Sequence, residues 1–315
     1  MSEGSVIVLS GGVGGAKLAE GFAQVVSPER LTIVVNTGDD FEHLGLHVSP
    51  DLDSVAYMLA GVSDAQRGWG RSGETWECLE VMKQLGGDSW FRLGDRDLGV
   101  HLVRTQALAR GASLSAATEQ ICCGLGIRHR VVPMSDRPIR TMIESDTGTL
   151  SFQDYFVRYQ CRPVVKRCRY ICLEGDPEPS HAFREALAAP GLKAIIIAPS
   201  NPILSIGPIL AMNGVLAAIR STCVPVLAVS PLIGGDAVKG PAAKILDELG
   251  IGRSATALWD HYQILDHLLV ARTDVPNGEQ ARTGILAADI MMRDKAERKR
   301  VALRCLEILR LERDD

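Results

Sequence analysis

The first 35 residues hold the pattern that most restricts the fold of this chain. Residues 6–9 and Leu31–Val35 are short runs rich in β-branched residues, which is typical of buried strands. Between them stand a glycine-rich turn and then Leu18, Phe22 and Val25, which recur at helical spacing. A strand, a helix and a second strand within about 35 residues predict parallel strands, because parallel strands need a crossover connection, which is usually a helix. The sequence therefore begins with a βαβ unit.

The same alternation returns in the second half of the chain. Residues 194–198 and 224–229 are apolar runs that predict strands, and helical patterns follow near 209–219 and 242–249. Residues 268–270 and 285–287 predict further strands, and residues 295–311 predict a final amphipathic helix. Strands that alternate with helices predict an α/β fold with a doubly wound, mostly parallel, Rossmann-like sheet.

The middle of the chain has a different pattern. Short runs of Thr, Ile, Phe, Tyr and Val fill residues 131–170, and turn residues at 146–148 predict a hairpin between 143–145 and 150–152. We interpret residues 131–170 as a smaller inserted α+β subdomain. The Rossmann-like nucleotide-binding core would then consist of residues 1–130 and 171–315.

Composition limits the partners and the compartment. The 315 residues carry a formal net charge of −4, which argues against nucleic acid or an anionic membrane as the main partner. No apolar run approaches the roughly eighteen residues that a membrane helix needs, and the N-terminus lacks the pattern of a signal peptide. The eight cysteines include no C-x-x-C pair and read as reduced thiols. A cytoplasmic protein is expected.

The glycine turn is the first candidate site. Gly11, Gly12, Gly14 and Gly15 stand between the first strand and its helix, followed by Lys17. Glycines let backbone N–H groups approach an anion, and a helix N-terminus adds a partial positive charge. A tight turn without a ligand is the alternative, but four glycines in five positions favour phosphate or nucleotide binding, with Lys17 in reach of a phosphate oxygen.

This turn does not match either common nucleotide fingerprint. G-x-G-x-x-G read from Gly12 would require glycine where Lys17 stands, and a P-loop would require glycine at Ala16 and Ser or Thr at Leu18. A nicotinamide-dependent oxidoreductase and an ordinary ATPase therefore both lose support.

Three acidic clusters precede Gly99. They are the pairs Asp39 and Asp40, Asp51 and Asp53, and Asp95 and Asp97. Carboxylates near a phosphate loop suit Mg²⁺, which binds a few carboxylate oxygens and keeps positions open for phosphate. Singly, each cluster has a structural alternative: Asp51 and Asp53 could be the N-cap and a first-turn acid of a helix over residues 54–59, Asp39 and Asp40 could cap the next segment, and Asp95 and Asp97 could form a local ion pair. Together with the glycine turn, they favour a metal or substrate site.

Two pairs of ring-bearing residues stay ambiguous. His43 and His47 are four residues apart, which suits a zinc site on a helix, but Gly45 between them favours structural or solvated histidines. Trp69 and Trp76 could line a planar ligand or simply bury apolar area.

Taken in order along the chain, these motifs resemble one family, the 2-phospho-L-lactate transferases of coenzyme F-420 biosynthesis. The resemblance covers nearly the whole chain, and the ordered set is specific although each motif alone is not. The matching motifs are Ser10-Gly11-Gly12-Val13-Gly14-Gly15-Ala16-Lys17, Val35-Asn36-Thr37-Gly38-Asp39-Asp40, Ser49-Pro50-Asp51-Leu52-Asp53, Gly68-Trp69-Gly70, Glu74-Thr75-Trp76, Phe91-Arg92-Leu93-Gly94-Asp95-Arg96-Asp97, Met134-Ser135-Asp136, Phe152-Gln153-Asp154, Ala198-Pro199-Ser200-Asn201-Pro202, Ser205-Ile206-Gly207-Pro208 and Val229-Ser230-Pro231.

The resemblance implies a magnesium-dependent phosphotransferase of class EC 2.7.8. The donor would be a guanosine diphosphate ester of a phosphorylated acid: 2-phospho-L-lactate, phosphoenolpyruvate or 3-phosphoglycerate. The acceptor would be the terminal ribityl hydroxyl of the deazaflavin Fo, with release of GMP and formation of coenzyme F-420-0 or its dehydro form. It also implies a homodimer and a functional link to a guanylyltransferase that makes the donor.

The resemblance also assigns roles to residues. The glycine turn and Lys17 would face the donor diphosphate, and the nucleotide pocket would be completed by Ser200, Asn201, Ser205 and Gly207. Asp39 or Asp40, together with Asp53, would hold Mg²⁺. Asp53 and Arg92 would contact Fo. The catalytic candidates are Lys17, Asp53 and Asp95, with Asp53 or Asp95 as the base for the hydroxyl proton.

One rival function shares the glycine turn. A non-catalytic nucleotide-sugar-binding regulatory protein of a related α/β family would bind a nucleotide without turnover. It would not need Asp53 and Arg92 in an acceptor pocket.

Overall fold

The structure is a computed structural model that describes residues 4–276 and 282–314. Its strands are β1 (Ser5–Ser10), β2 (Leu31–Val35), β3 (Phe41–His43), β4 (Leu46–Val48), β5 (Arg130–Pro133), β6 (Ile139–Ser145), β7 (Gly148–Ser151), β8 (Val165–Cys172), β9 (Leu192–Ile197), β10 (Val226–Val229), β11 (Leu232–Ile233), β12 (Asp236–Ala237), β13 (His267–Ala271) and β14 (Ile285–Ala288). Its α-helices are α1 (Gly12–Ala23), α2 (Pro50–Leu59), α3 (Glu77–Gln84), α4 (Asp95–Ala109), α5 (Leu114–Gly124), α6 (His181–Ala188), α7 (Gly207–Leu210), α8 (Val215–Thr222), α9 (Ala242–Glu248), α10 (Ala255–Tyr262) and α11 (Lys295–Leu309).

Seven strands form one parallel sheet in the order β14-β13-β10-β9-β1-β2-β5, which confirms the predicted α/β class. Alternate residues of β1 enter two different apolar clusters: Ile7 and Leu9 belong to one, and Val6 and Val8 to the other. The second cluster takes in residues of α1, α2 and α11, and the first takes in residues of α6, α8, α9 and α10. Helices therefore cover both faces of the sheet, which is why its strands are apolar throughout.

The strand order reverses between β1 and β9. From β1 the chain moves to β2 and β5 on one side, and later from β9 to β10, β13 and β14 on the other. In open α/β sheets, the crossovers on the two sides of such a point diverge and leave a crevice at the carboxyl ends of the strands. The fold therefore directs attention to the segments that follow β1, β2 and β9.

A second, antiparallel sheet of order β7-β6-β8 lies in the predicted insertion. The predicted hairpin is confirmed by β6 and β7, which pair from Met142 and Ser151 to Ser145 and Gly148. The expected boundaries differ slightly from those observed: residues 131–133 belong to β5, which pairs with β2 in the main sheet, and β8 continues to Cys172. The division of the chain into domains stays a prediction.

Two helices differ from the sequence interpretation. The helix expected at 209–219 is divided into α7 and α8, because Gly214 has a left-handed backbone with φ of 75°. The helix expected at 54–59 begins four residues earlier, at Pro50, because Ser49 takes the N-cap position and proline fits the first helical turn. Asp51 and Asp53 therefore lie in the first turn of α2 and not in a loop.

Within the described residues, no single helix is long and apolar enough to cross a membrane, although the bent pair Pro202–Leu210 and Val215–Thr222 has the length and composition together. Both parts of that pair contribute residues, such as Ile206 and Ile219, to an apolar cluster beneath the sheet. Their apolar character is therefore explained by burial in the core.

We predict that Gly21→Ala destabilises the protein by about 1–3 kcal/mol, because a methyl group at this position of α1 would lie 2.4 Å from the main-chain oxygen of Arg298 in α11. Gly99→Ala is the matched control: Gly99 also lies within a helix, α4, and a Cβ there would meet nothing within 4 Å. That control should be neutral or stabilising by up to about 1 kcal/mol. Urea unfolding of both variants measures the difference, and equal stabilities would contradict the close α1–α11 contact.

Candidate active site

The segments after β1 and β9 meet at the point where the strand order reverses. Gly11 is the N-cap of α1, and its N–H donates to Ser200 Oγ at 3.1 Å. Gly12 follows with a left-handed φ of 62°, which glycine adopts without strain. The first N–H groups of α1 have no acceptor within the helix, so this end of α1 presents donors to the crevice.

Close packing explains part of the glycine content of this turn. A Cβ at Gly14 would lie 2.4 Å from the main-chain oxygen of Pro199, and one at Gly15 would lie 2.5 Å from Ser200 Oγ. A Cβ at Gly11 would lie 2.7 Å from Asp51 Oδ2. The glycines thus allow the segments that carry Pro199, Ser200 and Asp51 to approach this turn closely, and ligand binding by the turn stays a prediction.

The segment after β9 is shaped mainly by its own hydrogen bonds. Asn201 Oδ1 accepts from the main-chain N–H groups of Ile203 and Leu204 at 2.9 and 3.0 Å, while its buried Nδ2 has no partner among the described residues. A Cβ at Gly11 would also lie 2.7 Å from Ser205 Cβ, so Ser205 borders the glycine turn. Gly207 is a packing position, because a Cβ there would lie 2.1 Å from Tyr170 Oη.

Lys17 lies one turn farther along α1, and its charged neighbours come from other segments. The pKa of Lys17 is lowered mainly by burial, and the positive charges of Arg298 and Lys239 lower it further. Lys239 in turn donates to the main-chain oxygen of Gly68 at 2.6 Å. Negative charge is also present, since Glu297 raises the pKa of Lys17 and Arg298 lies 3.6 Å from a carboxylate oxygen of Glu20.

The carboxyl end of β2 holds a buried group of three carboxylates: Asp39, Asp40 and Asp51. Asn36 Nδ2 donates to Asp51 Oδ2 at 2.9 Å, and Gly12 N–H also donates to Asp51. Each of the three side chains belongs to a residue no more than 5% exposed. Asp39 Oδ1 and Asp40 Oδ1 are buried and have no hydrogen-bond partner within the described part of the chain.

The electrostatics of this group favour a bound cation. Burial raises the pKa of Asp39 well above its usual range, and the nearby Asp51 and Asp40 raise it further. Burial raises the pKa of Asp51 to about 6, against the opposing effect of the hydrogen bonds from Asn36 and Gly12. Buried carboxylates that raise one another's pKa are stabilised in their charged form by a divalent cation. Their oxygen ligands suit Mg²⁺, which needs only one or two carboxylates beside phosphate and water.

Asp53 points to a different partner. Its two oxygens accept from Arg104 Nη1, at 3.1 Å, and from Arg104 Nη2. Residues two apart on an α-helix project about 200° apart, since each residue turns the helix by about 100°. Asp51 therefore faces the glycine turn and Asp53 faces α4, and the two do not converge on one site.

Arg104 also neutralises a second acidic cluster. His101 lies between Asp53 and Asp97, at 3.6 Å from one carboxylate and 3.5 Å from the other, and Tyr57 Oη donates to Asp97 at 2.5 Å. In the described residues, Asp53, Asp97 and His101 form a group of possible metal ligands whose atoms all lie within 4.8 Å of one another, closer together than the atoms of Asp39, Asp40 and Asp51. Because the buried guanidinium of Arg104 already supplies positive charge, we interpret this group as a structural ion-pair network.

Asp95 and Arg92 lie at the surface next to α3. Asp95 accepts hydrogen bonds from Thr75 Oγ1, Glu77 N and Cys78 N, at 2.5, 3.0 and 3.1 Å, and these bonds lower its pKa. It therefore caps the N-terminus of α3. The guanidinium carbon of Arg92 lies 4.5 Å from the ring centroid of Trp76, whose ring is also 6.4 Å from that of Trp69.

The hairpin of β3 and β4 carries both histidines that the sequence paired. His47 Nε2 lies 3.2 Å from Asp40 Oδ2, whereas the ring of His43 lies 5.5 Å from that of Trp90 and 5.7 Å from that of Phe91. The two imidazole rings therefore have different partners.

The eight cysteines are all free.

Asn36 and Arg104 were missed from the sequence, Asp51 was named only as a member of an acidic cluster, and His47 was favoured as a structural or solvated histidine. One signal was available for Asp51. Ser49-Pro50 is a helix start, and a helix that starts there separates Asp51 from Asp53 by two positions. Nothing in the sequence linked Arg104 to Asp53, because they are 51 residues apart.

Two surface depressions lie away from this crevice. One, of about 540 Å³, is lined by residues of the exposed face of α11, and the other, of about 530 Å³, lies at the amino ends of β10 and β13. Ligands of open α/β sheets bind at the carboxyl ends of the strands, so the crevice with the carboxylates is the stronger candidate.

Known proteins resemble this chain over most of its length. The sequence profile of a family described as 2-phospho-L-lactate transferase CofD matches residues 6–308. A protein of Kitasatospora aureofaciens named phosphoenolpyruvate transferase is 38% identical over 97% of this chain and 98% of its own. A protein of Methanosarcina mazei named 2-phospho-L-lactate transferase is 38% identical over 82% of this chain and 84% of its own.

A solved structure shares the fold. It is a member of the UPF0052 family from Bacillus halodurans, with a TM-score of 0.54 and 20% identity over 86% of this chain and 81% of its own. At that identity the likeness concerns the fold alone.

We predict that Arg104→Met lowers the free energy of unfolding by about 3–5 kcal/mol, because it leaves the charge of Asp53 buried without its guanidinium partner. The double variant Arg104→Met with Asp53→Leu should recover much of the loss, because it removes both charges. Urea unfolding of the single and double variants completes the cycle. If Arg104→Met were as stable as the wild type, the two side chains would not form a buried ion pair.

We predict that Asp51→Asn stabilises the protein in a chelator at about pH 7.5, where the wild type must keep a buried carboxylate charged. A pKa of about 6 in the folded state, above that of an unfolded aspartate, means that the folded protein binds the proton more tightly. Wild-type stability therefore rises as the pH falls through 6, by roughly 1–2 kcal/mol down to about pH 5. Thermal unfolding should show the advantage of the variant shrinking over that range, and a constant difference would contradict the raised pKa.

Proposed function

The chain belongs to the 2-phospho-L-lactate transferase (CofD) family, and on that basis we propose that it acts in coenzyme F-420 biosynthesis. It would transfer a phosphorylated acid from a guanosine diphosphate ester to the terminal ribityl hydroxyl of the deazaflavin Fo, with release of GMP. The observation that carries this proposal is the juxtaposition, at the reversal of strand order, of the α1 N-terminus with the buried carboxylates.

The donor diphosphate fits the end of α1. The unpaired N–H groups of α1 and the partial positive charge of its N-terminus favour phosphate oxygens. The Ser200 hydroxyl lies beside these N–H groups. Lys17 would add a cation, since a phosphate beside it would offset the positive charge of Lys239 that acts on it. Asn201 Nδ2, buried without a described partner, is a donor available to the nucleotide.

We propose Asp39, Asp40 and Asp51 as the residues that hold Mg²⁺, with Asp51 in the place that the sequence argument gave to Asp53. Two of these carboxylates have a buried oxygen without a partner in the described chain, whereas both oxygens of Asp53 accept from Arg104. The cation would neutralise the charge that develops on the transferred and leaving phosphates. Asp51 also accepts from Gly12, so the metal group and the phosphate loop share one hydrogen bond.

The acceptor is better matched by Arg92 than by Asp53. Arg92 is exposed and stacks on Trp76, which provides an aromatic surface suited to a planar ring system. Asp53 would act on the acceptor only through the ion pair that it forms with Arg104.

Neither Asp53 nor Asp95, the two candidate general bases, is well placed for that role, since both oxygens of Asp53 accept from Arg104. Asp95 already accepts three hydrogen bonds, and its lowered pKa makes it a weaker base. Phosphoryl transfer through a loose transition state needs little proton abstraction before the bond to phosphorus forms. We propose that positioning and charge neutralisation supply most of the rate enhancement.

Among the three candidate donors, we favour the phosphoenolpyruvate form. The relatives from Kitasatospora and Streptomyces that carry that name align over 96–97% of this chain, and the two named 2-phospho-L-lactate transferase align over 82% and 87%. The name of each relative describes that protein, so the assay must offer this chain all three donors.

The test is release of GMP, measured by chromatography, from the purified protein with Fo and each donor. We expect release to require both Fo and Mg²⁺, and to be fastest with the enolpyruvate donor. Nucleotide binding without release of GMP would instead favour a non-catalytic binding protein.

Asp51→Asn should lower kcat by at least about a hundredfold, because a metal contact contributes several kcal/mol to the transition state. Asp289→Asn, the same change at a half-exposed surface carboxylate, is the control and should keep wild-type activity. Near-normal turnover by a folded Asp51→Asn protein would remove Asp51 from the metal group. Asp53→Asn is a less clean test, since it would also leave Arg104 buried and unpaired.

A further inference from the structure

Asp40 is held by one of its two oxygens only. Its Oδ2 accepts from Ser49 Oγ at 2.8 Å and lies 3.2 Å from His47 Nε2, while its buried Oδ1 has no partner among the described residues. Two contacts to a single oxygen fix the plane of a carboxylate and leave the other oxygen available. This is the arrangement by which neighbouring side chains orient a carboxylate toward a metal ion.

We propose that His47 is a positioning residue that orients Asp40 for the divalent cation. This inference rests on the cation site proposed above, and it adds a residue that does not itself touch metal or substrate. Since Asp40 accepts, His47 donates through Nε2–H, either as the neutral tautomer with its proton on Nε2 or as the imidazolium.

Hydrogen bonds from α4 hold the backbone of His47 in place, and this limits where its imidazole ring can lie. Its N–H donates to Thr105 Oγ1 at 2.8 Å, and its carbonyl oxygen accepts from Arg104 Nη1 at 3.5 Å. Both partners belong to α4. His47, in the β3–β4 hairpin, thus links α4, which carries Arg104, to the carboxylate of Asp40 after β2.

Ser49 supports the same geometry from the other side. It is the N-cap residue of α2, so its hydroxyl stands just before the turn that carries Asp51. Residues 47–51 therefore supply both contacts to Asp40 Oδ2 and one of the three carboxylates. A change at His47 should consequently alter metal affinity more than it alters the chemistry of a fully loaded enzyme.

The test uses His47→Leu, which removes the donor, and His47→Gln, which keeps an N–H donor on a side chain of similar reach. His43→Leu is the matched control, because His43 lies on the same hairpin but packs against Trp90 and Phe91. The dissociation constant for Mn²⁺ is measured by electron paramagnetic resonance of the free ion, with the full-length protein and without Fo or donor. Thermal unfolding of each variant shows that it is folded.

We expect His47→Leu to weaken Mn²⁺ binding by about tenfold or more, and His47→Gln to recover most of that loss. His43→Leu should lower stability and leave the Mn²⁺ dissociation constant unchanged. In turnover assays, His47→Leu should raise the Mg²⁺ concentration needed for half-maximal rate while keeping most of kcat at saturating Mg²⁺.

Unchanged Mn²⁺ affinity in folded His47→Leu would overturn the inference, and so would equal weakening by His43→Leu. A wild-type protein that binds no Mn²⁺ would overturn both the cation site and the role of His47. If Mn²⁺ binds and its affinity depends on His47, but no GMP is released with any donor, the positioning role stands and the proposed transfer fails.

Discussion

The crowding of negative charge at the carboxyl ends of β1 and β2 is the constraint on which the rest of this site depends. Asp39, Asp40 and Asp51 are buried together; burial and the charges of Asp51 and Asp40 raise the pKa of Asp39, and burial and the charge of Asp40 raise that of Asp51. A protein without a use for such a group would gain stability by replacing these residues with neutral ones. The destabilisation is tolerable when a divalent cation completes the site. The phosphates of a nucleotide donor would then bind where the cation and the α1 N-terminus act on the same anion.

The start of α2 divides the acidic residues between two tasks. With the helix beginning at Pro50, Asp51 faces Gly12 and the glycine turn, and Asp53 faces Arg104 on α4. The buried ion pair of Asp53 and Arg104 contributes modestly to stability when intact, but losing either partner is expensive. It fixes α4 against α2 and therefore fixes the edge of the crevice. One acidic residue would bind the cation, and the other holds the scaffold around it.

The sequence was sufficient to predict the parallel α/β sheet, because hydrophobic periodicity and the glycine turn are local signals that the tertiary structure did not override. The candidate residues that it placed after predicted strands do follow β1, β2 and β9 in the structure. It could not decide which carboxylates share a site. That depends on a four-residue difference in where α2 begins, and on Arg104, a partner 51 residues away from Asp53. The roles of the individual site residues stay predictions.

The segments that fix residues 38–40 lie outside the seven-stranded sheet. The β3–β4 hairpin holds the carboxylate of Asp40, and the antiparallel sheet region holds the backbone: Gln153 Nε2 donates to Asp39 O at 3.0 Å, and Thr141 N donates to Gly38 O at 2.7 Å. The parallel sheet alone would place these carboxylates at its edge without fixing their direction. A protein that shares the sheet but not these additions therefore need not share the chemistry, which is why a fold-level likeness to a UPF0052 protein leaves function open. In this chain, the proposed cation site would depend on how the β3–β4 hairpin and the antiparallel sheet region hold residues 38–40.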